Sequence, residues 1–325
     1  MPIDVETLCR REQSVLFYEE RFSNGYMDEW PIEKKQRLID LLKELHLPEY
    51  GRGLDFGCGN GVLTAVLKDA LPKWTIEGID VSKTAISHAS VRYQNCRFFV
   101  SIDDDVTVEP YDFVFTHHVL EHVYDLDRVW AALVRLLKPR ASMLHILPCG
   151  NEGSFESQLC KLREGGINRE RGNRFFFEDE GHLRRLCTND LEQRATRYGF
   201  VLQNECYANQ WYGAIDWITS GSLQFARDVS NASLALDWPS KRRLNKLRRI
   251  LMTFGWARFL IAERDRLQAK WPKRFKHHAF LIGSIPAYLV ARWADRILKQ
   301  KVRHEWATQR GRREGSEMYL YFTRE

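Results

Sequence analysis

Apolar and polar positions alternate along this chain in two rhythms. Short apolar runs fall at 53–56, 74–80, 96–102, 111–116 and 142–147, and stretches of helical spacing lie between them. Strands separated by helices predict a parallel sheet covered on both faces, with ligands held in a crevice at the carboxyl ends of the strands. Ahead of that region, residues 1–50 read as helices. Ile32, Leu38, Leu41, Leu42 and Leu45 give the second of these an apolar face, and Pro31 suits its first turn. Thr188 to Gly199 reads as another helix, leading into a further strand at Phe200-Val201-Leu202. Later, Leu244, Leu247, Ile250, Leu251 and Phe254 keep helical spacing while Arg242, Arg243, Lys246 and Arg249 occupy the other faces.

The first strand breaks into Gly57-Cys58-Gly59-Asn60-Gly61, a turn that lets backbone amides approach a ligand closely. The spacing is G-x-G-x-G, not the G-x-G-x-x-G of dinucleotide sites. No Lys-Ser or Lys-Thr follows to hold a triphosphate and its magnesium. Asp80 closes the second strand about 20 residues beyond the loop, where such folds bind ribose hydroxyls. An acid there without a phosphate grip points to a nucleoside lacking a pyrophosphate.

Several ordered segments then resemble the class I S-adenosylmethionine-dependent methyltransferases. They are Leu54-Asp55-Phe56-Gly57-Cys58-Gly59-Asn60-Gly61, Gly78-Ile79-Asp80-Val81-Ser82, Ser101-Ile102-Asp103, Tyr111 to Val123, and Leu136-Leu137-Lys138-Pro139 before Ser142 to Pro148. The resemblance covers roughly residues 50 to 210. It implies an α/β, Rossmann-like, seven-stranded, mostly parallel sheet whose last, antiparallel strand is Glu317 to Thr323. Residues 1–50 would then be a helical lid, 51–212 the cofactor-binding core with an acceptor-covering insertion at 151–187, 213–314 a basic helical insertion, and 315–325 the closing strand. The implied cofactor is S-adenosylmethionine. Asp80 and Val81 would hold its ribose, and Ile102 and Asp103 its adenine. Asp55, Gly57, Cys58 and Gly59 would surround the methionine portion, with His117, Tyr18 and Tyr26 closing the pocket.

The most chemically loaded stretch outside the loop is His117-His118-Val119-Leu120-Glu121-His122. If it is helical, His118, Glu121 and His122 share a face. Two imidazoles and a carboxylate could hold a divalent metal, and the ubiquinone-pathway O-methyltransferases carry a similar acidic and histidine cluster. Relatives that need no metal use the same residues structurally, and no metal is expected here. A histidine is suited to taking a proton near neutrality, so His118, His122 and His182 are the candidate bases. Glu121 and Arg184 are candidate acceptor contacts; equally, Arg184 could pair with a nearby acid. The activity implied is methyl transfer to a hydroxyl, or less readily an amine, of a small-molecule, glycan or lipid-linked acceptor.

Composition adds the question of partners. Net charge is +6, but residues 241–304 hold 18 Lys and Arg against three acids, a local +15 that leaves −9 on the rest. Such a segment fits an anionic membrane surface, a phosphorylated acceptor or RNA. RNA is disfavoured by the absence of a recognisable RNA-binding module and of base-methylating motifs. A non-catalytic, cofactor-binding partner subunit is disfavoured by the intact loop and acids. Seven cysteines in no C-x-x-C pair indicate neither a disulfide framework nor a zinc finger. No signal peptide or span-length apolar run is visible, so a cytoplasmic protein, with membrane association left open, is expected.

Overall fold

A computed structural model describes residues 15–100, 109–269 and 280–324. Its centre is a seven-stranded sheet in the order β3-β2-β1-β4-β5-β9-β8. These strands are β1 Arg52–Phe56, β2 Thr75–Asp80, β3 Arg97–Val100, β4 Tyr111–His117, β5 Leu137–Pro148, β8 Phe200–Ala208 and β9 Glu317–Arg324. The pairs β1–β2, β1–β4, β2–β3 and β4–β5 are parallel, and β9 is antiparallel. The chain therefore reverses its strand order next to β1, the place where open parallel sheets form a ligand crevice.

Two compact units make up the chain. The first comprises residues 1–148, 180–205 and 318–325. It holds α1 (residues 15–23), α2 Ile32–Glu44, α3 Val62–Ala70, α4 Lys83–Arg92, α5 Leu126–Arg135 and α7 Thr188–Arg197. Leu54, Phe113, Val114, Phe115, Trp130, Leu144 and Phe322 are fully buried in it. Within β2, buried Glu77 accepts from Tyr111 Oη (2.7 Å) and Arg52 Nη2 (2.8 Å), so its charge is paired.

Two local readings change. The fifth strand begins at Leu137, directly after α5, because Leu137 pairs with Tyr111 before the register jumps to Phe113–Ser142. The segment after β4 is a turn, not a helix, with His122 N–H closing on the Val119 carbonyl at 2.9 Å.

The second unit comprises residues 149–179 and 206–317. It contains α6 Phe155–Cys160, the hairpin of β6 Ile167–Asn168 and β7 Arg174–Phe175, and the helices α8 Tyr212–Ser220, α9 Leu223–Val229, α10 Trp238–Ala269 and Ile285–Gln309. Leu159 shares one core with Ile215, Ile218, Leu244, Leu251, Leu298 and Val302, which ties the stretch after β5 to the helical insertion. Buried Glu305 accepts the backbone N–H groups of Trp211, Tyr212 and Gly213 at 2.7–3.0 Å and so caps α8.

Candidate active site

The glycine loop is locked by its backbone. Gly57 and Cys58 donate to the Ile79 carbonyl at 2.8 and 3.0 Å, extending the β1–β2 pairing into the turn. Gly57 has φ +77°, and a Cβ there would lie 2.4 Å from Val119 Cγ2. Only glycine lets the loop after β1 meet the turn after β4. Asp80 accepts from Gly59 N–H and Ser82 N–H, each at 2.9 Å. Burial pushes its carboxyl up, against the pull of those two bonds. Asp55 lies beneath the loop, 1% exposed, and accepts from Thr64 Oγ1 at 2.6 Å. Burial, with Asp80 as a lesser contributor, raises its pKa to about 7. Val81 is half-buried beside Asp80, and the Cys58 thiol, pushed well up by burial, packs where a Cβ on Gly78 would sit. Ile102 and Asp103 lie outside the described residues.

The segment before α2 covers this loop. Phe22, buried, lies where a Cβ on Gly59 would be 3.2 Å from its ring. Asn60 Nδ2 donates to the Tyr26 carbonyl (3.1 Å) and to Asp28 Oδ1 (2.8 Å). Arg21 stacks on the Tyr26 ring at 3.9 Å. Glu19 accepts from Lys83 N–H, Thr84 N–H and Ser82 Oγ, capping α4, whose own first turn has no acid. Glu19 and Asn60 were not singled out by sequence, since each acts on a partner more than 30 residues away.

The histidine segment gathers a second cluster in the same unit. His118 sits at φ +53°, a strained conformation for a residue with a Cβ and one that collects at functional sites. Lys34 Nζ, from α2, lies 3.1 Å from His117 Nε2 and 3.3 Å from His118 Nε2. An ammonium only donates, so His118 Nε2 accepts and its Nδ1 carries the proton, 3.0 Å from Glu121 Oε1. Trp30 stacks on the His118 ring and against His117. Trp30 and Lys34 are further residues that sequence did not flag.

Glu121 is buried, with its Oε1 3.0 Å from His118 Nδ1 and 3.9 Å from His122 Nε2. Burial pushes its carboxyl up, but His118, then His122 and His182, outweigh this and bring it to about 2. His122 donates Nδ1–H to the Gly181 carbonyl at 2.9 Å, with the Tyr18 hydroxyl 2.7 Å from the same nitrogen. Burial lowers its pKa against the opposing pull of Glu121, so it is neutral near pH 7. The His182 ring lies edge-on to it at 4.6 Å. Leu183 N–H donates to the Glu121 carbonyl at 2.9 Å, so the loop bearing His182 is pinned on both sides. Arg184 donates to the Tyr124 carbonyl at 2.8 Å, and burial lowers its pKa against the opposing pull of Asp125. All three candidate bases and Glu121 thus converge through a turn and a docked loop.

A match to the methyltransferase-domain family runs over residues 27–205, more than half of the chain. The chain belongs to that family. It is an S-adenosylmethionine-dependent methyltransferase. It is 25% identical over 238 residues to the trans-aconitate 2-methyltransferase of Deinococcus radiodurans, covering 72% of this chain and 86% of that enzyme. The corresponding enzyme of Escherichia coli K12 is 29% identical over 117 residues, 36% of this chain, and the match spans 46% of that enzyme's length. Among solved structures, the plantazolicin methyltransferase BpumL in complex with a triazolic desmethylPZN analog and SAH is 14% identical, with a TM-score of 0.47 over 99% of this chain and 100% of that one.

The pocket of this methyltransferase suits the cofactor. An acid ends β2 at the position where such folds hold a ribose diol, the loop admits close backbone approach, and residues 57–61 contain no lysine or arginine to grip a phosphate. For a metal, one grouping of possible ligands among the described residues is Glu121, His122 and His182, whose ligand atoms lie within 4.8 Å of one another. It exchanges His118 for His182 relative to the trio expected from spacing.

Proposed function

We propose that this methyltransferase moves a methyl group from S-adenosylmethionine to an oxygen of a small-molecule acceptor, and that the histidine cluster after β4 takes the proton of an acceptor hydroxyl. The observation that carries the reading is the buried, ionised Glu121 ringed by His118, His122 and His182. The cofactor supplies the methyl group as an electrophilic sulfonium; the chain aligns the acceptor, excludes water and removes the proton. Asp80 holds the ribose, Gly57 and Gly59 border the methionine portion, and Tyr18, Tyr26 and Phe22 cover them. His182 is the base, its ring held edge-on to His122 and its loop tied to the Glu121 carbonyl through Leu183 N–H. With the cofactor bound, its sulfonium would give up the methyl group to the acceptor oxygen, and the His182 imidazole would take the hydroxyl proton.

A second reading is favoured by the two relatives named trans-aconitate 2-methyltransferases. Trans-aconitate is a tricarboxylate, and a carboxylate is already ionised near pH 7 and needs no base. Lys34 and Arg184 would then bind anionic groups of the acceptor. Incubating the protein with methyl-labelled S-adenosylmethionine and panels of hydroxylated and carboxylated small molecules tests both. A labelled ether, with kcat/KM rising through an imidazole titration, supports the hydroxyl reading. A labelled ester, with kcat/KM flat above pH 6, supports the carboxylate reading, and label in neither panel overturns both.

A further inference from the structure

The helix Ile285–Gln309 has two apolar faces. One is packed: Ala291, Leu298 and Val302 are buried, Asp295 accepts from Arg258 at 3.0 Å, and Tyr288 lies under Arg264. The other points away from that core. Ile282, Ile285, Leu289 and Trp293 recur every three or four residues, which places them on one stripe opposite the packed positions. They are exposed, Ile282 at 68%, Leu289 at 61% and Trp293 at 65%, and Val290 beside them at 64%. Helix α10 adds Trp256 and Phe259, half exposed, whose rings meet edge to face at 5.5 Å.

The charges on the two helices are mostly positive. The two helices carry fourteen Lys and Arg against four acids. Three of those acids are engaged: Glu263 by Arg266, Asp295 by Arg258, and Glu305 by the α8 amides. Arg292 and Arg296 flank the stripe, and Lys241, Arg242, Arg243, Lys246, Arg248 and Arg249 line the exposed side of α10.

We infer that this helical pair is a docking surface for an anionic phospholipid bilayer. Exposed tryptophan and aliphatic side chains enter the headgroup–acyl boundary, and the arginines meet lipid phosphates, their stems lying along the apolar stripe. A second copy of the chain would bring two strongly positive surfaces together, whereas anionic lipid complements both the charge and the apolar stripe. No described helix is long and apolar enough to cross a membrane, which suits an element lying in the interface plane. The inference does not depend on which acceptor is methylated.

Flotation with vesicles of phosphatidylcholine alone, and of phosphatidylcholine with phosphatidylglycerol at 3:1, tests it on the full chain. The wild-type protein should float with the anionic vesicles at least tenfold more than with the neutral ones, and less in 0.5 M salt. The variant Leu289→Ser/Trp293→Ser should lose flotation at least tenfold at an unchanged melting temperature, since both side chains are exposed. Failure of the wild-type protein to float with anionic vesicles overturns the inference, as does equal flotation of the variant. So does a wild-type dimer, seen in sedimentation, that the variant abolishes while vesicle binding stays the same.

Discussion

Tyr18 places its hydroxyl 2.7 Å from Nδ1 of His122, a residue 104 positions further along the chain. This contact joins helix α1 to the turn after β4, so the placement of α1 and that of the His122 ring are coupled. Tyr18→Phe removes the hydroxyl and keeps the ring. Loss of about 1 kcal/mol of hydrogen bonding predicts a roughly fivefold lower kcat. The melting temperature should stay within about 2 °C, and steady-state kinetics beside thermal unfolding checks both.

Glu19 ties the same helix to the start of α4. Burial raises its carboxyl, but the bonds from Thr84, Lys83 and Ser82 prevail, so its pKa is lowered. A lowered carboxyl contributes stability above its unfolded value of about 4.5, lost as pH falls through the folded value. Glu19→Ala should cost about 1 kcal/mol, as a lost helix cap does. Amide hydrogen exchange over residues 15–30 should be faster in the variant at pH 7, and the difference should shrink on acidification below about pH 4.

Asp55 shows the opposite sign. Its pKa is raised from 3.8 to about 7 by burial, so the folded state binds the proton more tightly than the unfolded chain. Its contribution is fully present below the unfolded value and is lost as pH rises through the folded one. Asp55→Asn keeps an acceptor for Thr64 and removes the charge. Without cofactor, the variant should match the wild-type protein near pH 4 and exceed it near pH 8 by on the order of 2–4 kcal/mol. Denaturant titrations at the two pH values measure this.

Gly57 is constrained twice, by its positive φ and by Val119. Gly57→Ala should reduce cofactor affinity at least tenfold. Adding Val119→Ala relieves the clash but not the backbone strain of about 1 kcal/mol, so calorimetry should find only partial recovery.

The strands were legible because each is a compact apolar run, and the loop because Gly57 and Asp80 must hold fixed places relative to strand ends. Less was legible where a side chain acts at long range. Lys34 reaches His118 across 84 positions and Glu19 reaches Thr84 across 65, and neither leaves a periodic trace. The sequence Leu136-Leu137-Lys138-Pro139 reads as a helix end, yet Leu137 already pairs with Tyr111, because a register shift absorbs the residues before Ser142. Helical spacing alone also could not separate the packed positions Ala291 and Leu298 from the exposed Leu289 and Trp293, since both recur every three to four residues.

The catalytic reading stands or falls on Glu121. Its buried carboxylate faces the His118, His122 and His182 rings, so Glu121→Gln removes the charge around which they are packed. If His182 takes the acceptor proton, the acid limb of kcat/KM should move in Glu121→Gln. The plateau should fall about 10- to 100-fold, because a less well held base transfers the proton less effectively. His182→Ala should remove the limb and lower kcat about 10²- to 10⁴-fold while leaving S-adenosylmethionine affinity within about twofold. A purely structural cluster would instead lower affinity and melting temperature together, with the limb unmoved. If the acceptor is a carboxylate, no imidazole limb exists to move, and loss of activity on Lys34→Ala through a raised acceptor KM becomes the discriminating result.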